Sequence, residues 1–132
     1  MSQLMSWQLG PDDRAPSTAR HLVAELVTAG EPSLDKSPLD TLLLLVSEVV
    51  TNAVHHGAPP ITLSVNLGAG CLHVEVIDHG TGVPEQHEPA SLWAEHGRGL
   101  LLVEALAAAW GTTPLTDGSG AKKVWFDLPV LA

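Results

Sequence analysis

Apolar residues recur along this chain in two rhythms, a three-to-four spacing in some segments and strict alternation in others. The first dozen residues are a loose start with room for a short strand at Trp7-Gln8-Leu9. Ser17 reads as an N-cap for a helix to about Ala29, with Ala19, Leu22, Leu26 and Ala29 on one face and Gly30 as its stop. Its outer face carries Arg20, His21 and Glu25. After a linker from Glu31 to Lys36, Ser37-Pro38 starts a second helix that runs to about His56 and ends at Gly57. Pro59-Pro60 enforces a break.

Ile61, Leu63, Val65 and Leu67 then alternate with polar residues, which predicts a strand. Gly68-Ala69-Gly70 is a hairpin turn, and Cys71 to Ile77 returns with Leu72, Val74 and Val76 facing one way. Asp78 to His96 holds no period and is rich in Gly, Pro, His and Glu, so it reads as a loop and a candidate lid. A third helix from about Arg98 to Ala109 is apolar nearly all round, which predicts deep burial, and Gly111 stops it. Thr112 to Leu115 is a short strand, Asp117-Gly118-Ser119-Gly120 a turn, and Lys122 to Leu128 the last strand, with Lys122, Val124, Phe126 and Leu128 on one face. Hairpins joined in sequence give a mostly antiparallel mixed sheet with three helices on one face. The fold class is therefore α/β (α+β), a two-layer sandwich.

Composition narrows the function. At 132 residues the chain is one domain, 1–132 with a core about 17–129, able to bury a core without staples. Six basic against fifteen acidic residues give a net charge of −9, which argues against nucleic-acid binding. The same charge obliges any anionic ligand to find local compensation in a metal ion, helix N-termini or the few basic side chains. The single Cys71 excludes an intrachain disulfide and fits a reducing compartment, so the cytoplasm is expected. There is no secretory signal in Met1 to Leu9. The apolar stretch around Leu42 to Val50 is short for a bilayer and is broken by Ser47 and Glu48, so a soluble chain is expected.

Three motifs carry chemistry. Glu48 and Asn52 are one turn apart in the apolar second helix, and His56 continues the row with His55 beside it. An Asn oxygen suits Mg²⁺, which keeps waters and bridges phosphates, and a neighbouring Glu can act as general base. The plain alternative is a helix showing a polar edge to water. Asp78 ends a strand and enters Gly80-x-Gly82, where a carboxylate can accept an exocyclic amine and glycines admit a close approach; a simple strand-end turn has the same residues. Gly97-Arg98-Gly99-Leu100 opens a helix whose free amides would face phosphates, with Arg98 adding charge, although a hinge reads the same way. Adjacent His55-His56 and an isolated Cys71 do not make a structural zinc site, and His79, His87 and His96 read as solvated lid residues.

In this order the motifs resemble those of the Bergerat-type ATP-binding domain shared by gyrases, chaperones, histidine kinases and mismatch-repair ATPases. Glu48-x-x-x-Asn52-Ala53 looks like its N box, Asp78-x-Gly80-x-Gly82 its G1 box and Gly97-x-Gly99-Leu100 its G2 box. The compact length, Leu45 to Val54, Gly97 to Val103 and Val124-Trp125-Phe126 are similar to the bacterial anti-sigma-factor serine/threonine kinases. The resemblance covers roughly Ser17 to Pro129. It implies ATP and Mg²⁺ as cofactors, Asn52 as metal ligand, Glu48 as base, Asp78 as reader of adenine, and Gly80, Gly82, Gly97 and Gly99 shaping the pocket with His56, Arg98 and Leu100. It also implies a sigma factor and an antagonist protein as partners, a homodimer, and the Arg20 helix as partner face.

The chain departs from the wider pattern in two places. The second box lacks the further glycine of sensor kinases, which implies a reduced lid, and the last strand opens Ala121-Lys122-Lys123 where relatives often place a threonine near the adenine. No dimerisation segment with a phosphoaccepting histidine precedes the domain, so a complete sensor kinase is not expected. The expected activity is a regulatory serine/threonine protein kinase. The rivals are a non-catalytic ATP-dependent anti-sigma binding module, which the intact Glu48 disfavours, and a simple ATPase subunit, which the short lid disfavours.

Overall fold

Alternation sends every second side chain of the strands to one side, and that side became the core. The computed structural model describes residues 3–29, 36–68, 70–80, 97–115 and 120–129. In chain order these form β1 (Gln3–Leu9), α1 (Ala15–Ala29), α2 (Lys36–His56), β2 (Ile61–Gly68), β3 (Cys71–Asp78), α3 (Gly97–Leu106), β4 (Ala109–Pro114) and β5 (Lys122–Pro129). The strands make one five-stranded sheet in the order β1-β2-β3-β5-β4, antiparallel at every pairing. The expected two-layer α+β architecture is observed.

Leu63, Val65, Leu72, Val74, Val76, Val124, Phe126 and Leu128 are buried on the sheet's inner side. Leu42, Leu45, Val46, Val49, Val50 and Ala53 of α2 meet them. Each large buried side chain, such as Phe126, contributes on the order of 1.5–3 kcal/mol. By length and composition alone α2 could cross a membrane, but in the fold it is the central helix, packed on β3, α1 and α3. The opposite side of the sheet is polar. There His73 bonds Asp127 across the strands and Glu75 at 2.7 Å along its own strand, Lys123 lies 3.6 Å from Glu75, and the Trp125 ring sits 5.5 Å from the imidazole.

Local details correct several expectations. α1 starts before Ser17, because Asp12 caps the turn: its Oδ1 accepts from the Arg14 amide at 2.9 Å and its carbonyl from Ala15 at 3.0 Å. Its buried row is Ala15, Ala19, Val23 and Val27, with Leu22 and Leu26 at the flank. Arg20 is half-buried rather than on the outer face, because its guanidinium donates to the Ser47 hydroxyl of α2. The N-terminal strand is longer than Trp7-Gln8-Leu9 and pairs with the whole of β2.

α3 ends at Leu106, short of Ala109, and it is not buried all round. Val103 is buried, but Leu106 is 44% exposed. The helix stops early because β5 captures the backbone: the Ala108 amide donates to the Asp127 carbonyl at 2.9 Å and Ala109 opens the ladder. Gly111 is thus a strand residue, not a helix stop. A Cβ there would sit 2.9 Å from the Trp125 indole nitrogen, so the position leaves room for a ring. The predicted lid from residue 81 to 96, the linker from Gly30 through residue 35 and most of the 117–120 turn lie outside the described residues.

Candidate functional site

The C-terminal ends of α2 and β3 meet, and Asp78 and Gly80 stand at that junction beside the helix that carries Glu48, Asn52 and His56. β3 runs out at Asp78 with its carboxylate 1% exposed. Asp78 Oδ1 accepts from the Gly80 amide at 2.8 Å, and the His79 amide donates to the Ala58 carbonyl at 2.9 Å, which ties the strand end to the chain leaving α2. The junction is tight. A Cβ on Gly57 would lie 2.4 Å from Asp78 Cγ, and one on Gly80 would lie 2.8 Å from Gly57 Cα. Two glycines therefore let two backbones close on one buried carboxylate.

Glu48, Asn52 and His56 are all half-buried and follow each other at helical spacing on α2. At 1.5 Å per residue, Asn52 lies about 7 Å and Glu48 about 14 Å along the axis from the Gly57 end. α3 (Gly97–Leu106) packs against the same helix. The side chains of Arg98 and Leu100 lie outside the described residues, as does Gly82. Among the described residues no three His, Cys, Asp or Glu groups gather into a metal cluster.

Three features escaped sequence reasoning. Gly57 is needed for space against Asp78, whereas in sequence it looked only like a helix stop. The sequence puts Lys122 on the inward row of β5 and near the adenine, but does not show its pairing with Asp78: it is buried at the opposite rung with its Nζ 3.9 Å from Oδ1. The Arg20–Ser47 bond joins two helices and leaves no trace in periodicity.

On the far side of the sheet the surroundings shift the pKa values of His73 and Cys71. Burial alone would lower the His73 pKa, but hydrogen bonds and charge from Asp127 and Glu75 outweigh it and raise the value above the ordinary 6.5. Burial, and then the Asp127 charge, push the Cys71 thiol up, which disfavours a reactive thiolate.

A family model described as histidine kinase-like ATPase domain matches residues 11–121, which takes in α1, α2, the Asp78 junction and α3. The chain belongs to the histidine kinase-like ATPase domain family. Among proteins similar to it is an anti-sigma F factor of Geobacillus kaustophilus (strain HTA426), 33% identical over 93 residues, covering 67% of this chain and 62% of that protein. The anti-sigma F factor of Geobacillus stearothermophilus shows the same identity and coverage. That of Anoxybacillus flavithermus (strain DSM 21510 / WK1) is 32% identical over 93 residues. The match thus spans about three-fifths of these relatives' length. Membership of this ATPase family implies ATP binding.

Proposed function

We propose that this chain is an ATP- and Mg²⁺-dependent regulatory serine/threonine protein kinase of the anti-sigma type. It would bind a sigma factor and phosphorylate an antagonist protein. The observation that carries the reading is the buried Asp78 carboxylate walled by Gly57 and Gly80 at the end of the helix that bears Asn52 and Glu48. Asp78 accepts the exocyclic amine of adenine, and Gly80 and Gly82 let the base lie close. The nucleotide then runs back along α2, so that the phosphates reach Asn52 and the γ-phosphate end reaches Glu48. In this reading the first-turn amides from Gly97 to Leu100 and the Arg98 charge would serve the phosphates, and His56 would contribute to nucleotide binding.

The residues fit a divalent ion that takes one protein oxygen and completes its shell from phosphates and water, which is the habit of Mg²⁺. Asn52 would supply that oxygen, and the ion would neutralise charge developing on the transferred phosphoryl group. Glu48 takes the proton of the attacking hydroxyl. The similarity to anti-sigma F factors supports a sigma factor and an antagonist as partners. A homodimer, a docking face on α1 around Arg20 and a cytoplasmic setting complete the proposal.

The deciding experiment is transfer of labelled γ-phosphate to a candidate antagonist protein. Glu48→Ala should keep ATP affinity and partner binding while transfer falls about 10²–10⁴-fold. If wild type and variant both bind ATP and neither labels a partner, the chain is a nucleotide-gated binding module.

A further inference from the structure

Among the described residues, Asp78 and Lys122 are the buried charged side chains, at 1% and 8% exposure. They are direct partners in the β3–β5 register, which places them on the same face at the same rung. The Lys122 ammonium lies 3.9 Å from Asp78 Oδ1, and the Gly80 amide donates to the same oxygen at 2.8 Å. Gly57 closes another side, since even a methyl there would overlap Cγ. The contacts from Gly80 and Lys122 thus converge on Oδ1, and the glycine wall limits rotation of the carboxylate.

We propose that Lys122 is a positioning residue for the nucleotide base: its ammonium, with the Gly80 amide, anchors the buried Asp78 carboxylate through Oδ1, so that Oδ2 is presented to the ligand's amine. This rests on the reading of Asp78 as the base acceptor. The physical need is plain. A carboxylate taken out of water needs donors or a countercharge on its oxygens, and one held at a single oxygen keeps the other aimed. Lys122 supplies that countercharge from the neighbouring strand, at the rung directly opposite Asp78. It acts on the ligand through Asp78, not by touching the reacting phosphates.

A double-mutant cycle on the full chain tests this, with ATP and GTP binding measured by calorimetry and melting curves of the nucleotide-free proteins as fold control. Lys122→Met should weaken ATP binding on the order of tenfold, and Lys122→Arg should restore it to within about twofold. In an Asp78→Asn background, Lys122→Met should change ATP affinity by no more than about twofold, because the group it serves is gone. A loss that persists in that background, or no loss in the single variant, overturns the inference. If Lys122→Met alone fails to fold, the inference expects Asp78→Asn/Lys122→Met to recover folding by removing the stranded charge; a double variant equally unfolded makes Lys122 purely structural and overturns it. Failure of the underlying reading looks different: wild type itself would bind ATP and GTP equally, or bind neither.

Discussion

Replacing Gly57 by alanine should be costly for a reason that can be worked out atom by atom. Gly57 is not among the positive-φ glycines, Gly70 and Gly120, so its backbone alone does not exclude a side chain. By the unfolded-chain argument alone, Gly→Ala would then stabilise by about 0.4–1 kcal/mol. Space reverses the sign. The new Cβ would stand 2.4 Å from Asp78 Cγ, 2.5 Å from Oδ1 and 2.7 Å from the Ala53 carbonyl oxygen, against an ordinary contact of about 3.5–4 Å. The Ala53 oxygen accepts from the Gly57 amide and cannot yield without opening the helix end. Relief must come from parting α2 and β3, an overpacking cost of about 1–3 kcal/mol. Parting them also pulls Oδ1 from the Gly80 amide, a charged hydrogen bond of about 1.5–3 kcal/mol. The net expectation is a loss of roughly 2–5 kcal/mol and a melting temperature lowered by roughly 10 °C or more. Gly10→Ala is the control, because its Cβ would meet nothing nearer than an Asp12 oxygen at 3.9 Å; its effect should stay within about 0.5 kcal/mol. Calorimetric melting of both variants, followed by ATP titration, reads the result. A Gly57→Ala protein that melts with wild type and binds ATP equally would show that the junction is not as close as described.

Asn52→Ala should remove the Mg²⁺ dependence of ATP binding with little effect on melting, and an unchanged Mg²⁺ titration would reduce Asn52 to a polar edge residue. For His73, the folded pKa is raised, so its contribution to stability is complete below about pH 6.5 and fades as pH rises through the folded value. The melting gap between wild type and His73→Gln should therefore be wider at about pH 6 than at about pH 9. A gap that widens with rising pH would contradict the carboxylate pairing on the outer sheet face.

Much of the architecture was legible because burial on one face writes itself into period. Ile61, Leu63 and Val65, then Leu72, Val74 and Val76, are buried as the alternation required, and α2 ends at His56 as read, although it is already helical at Lys36, ahead of the expected Ser37 cap. Pattern failed where position in the layer decides exposure. Leu100 to Leu106 is as apolar as a core helix, yet α3 leaves Leu106 open. It failed again where a neighbour from another element decides the conformation. Gly111 resembles a stop signal until Trp125 is placed over it, and Ser17 resembles a cap until Asp12 is seen to perform that task. At the candidate site, Glu48, Asn52 and Asp78 were named from spacing and strand ends, which are local properties. Gly57 and Lys122 act through Asp78 from other elements, so only tertiary structure joins them to it.

The pairing of β1 with β2 also bears on the order in which the chain can assemble. The Ser6 hydroxyl meets that of Ser64 at 2.8 Å, 58 residues away, whereas Gly68 faces Cys71 across a tight turn. Closing the long loop costs more chain entropy than closing the hairpin, so the first strand made must wait for the fourth element before it has a partner. The β2–β3 hairpin on the inner face of α2 is then the natural nucleus, and β1 joins it later. Core truncations at Val65 or Val74 should slow refolding, while a Ser6→Ala change should act almost wholly by speeding unfolding.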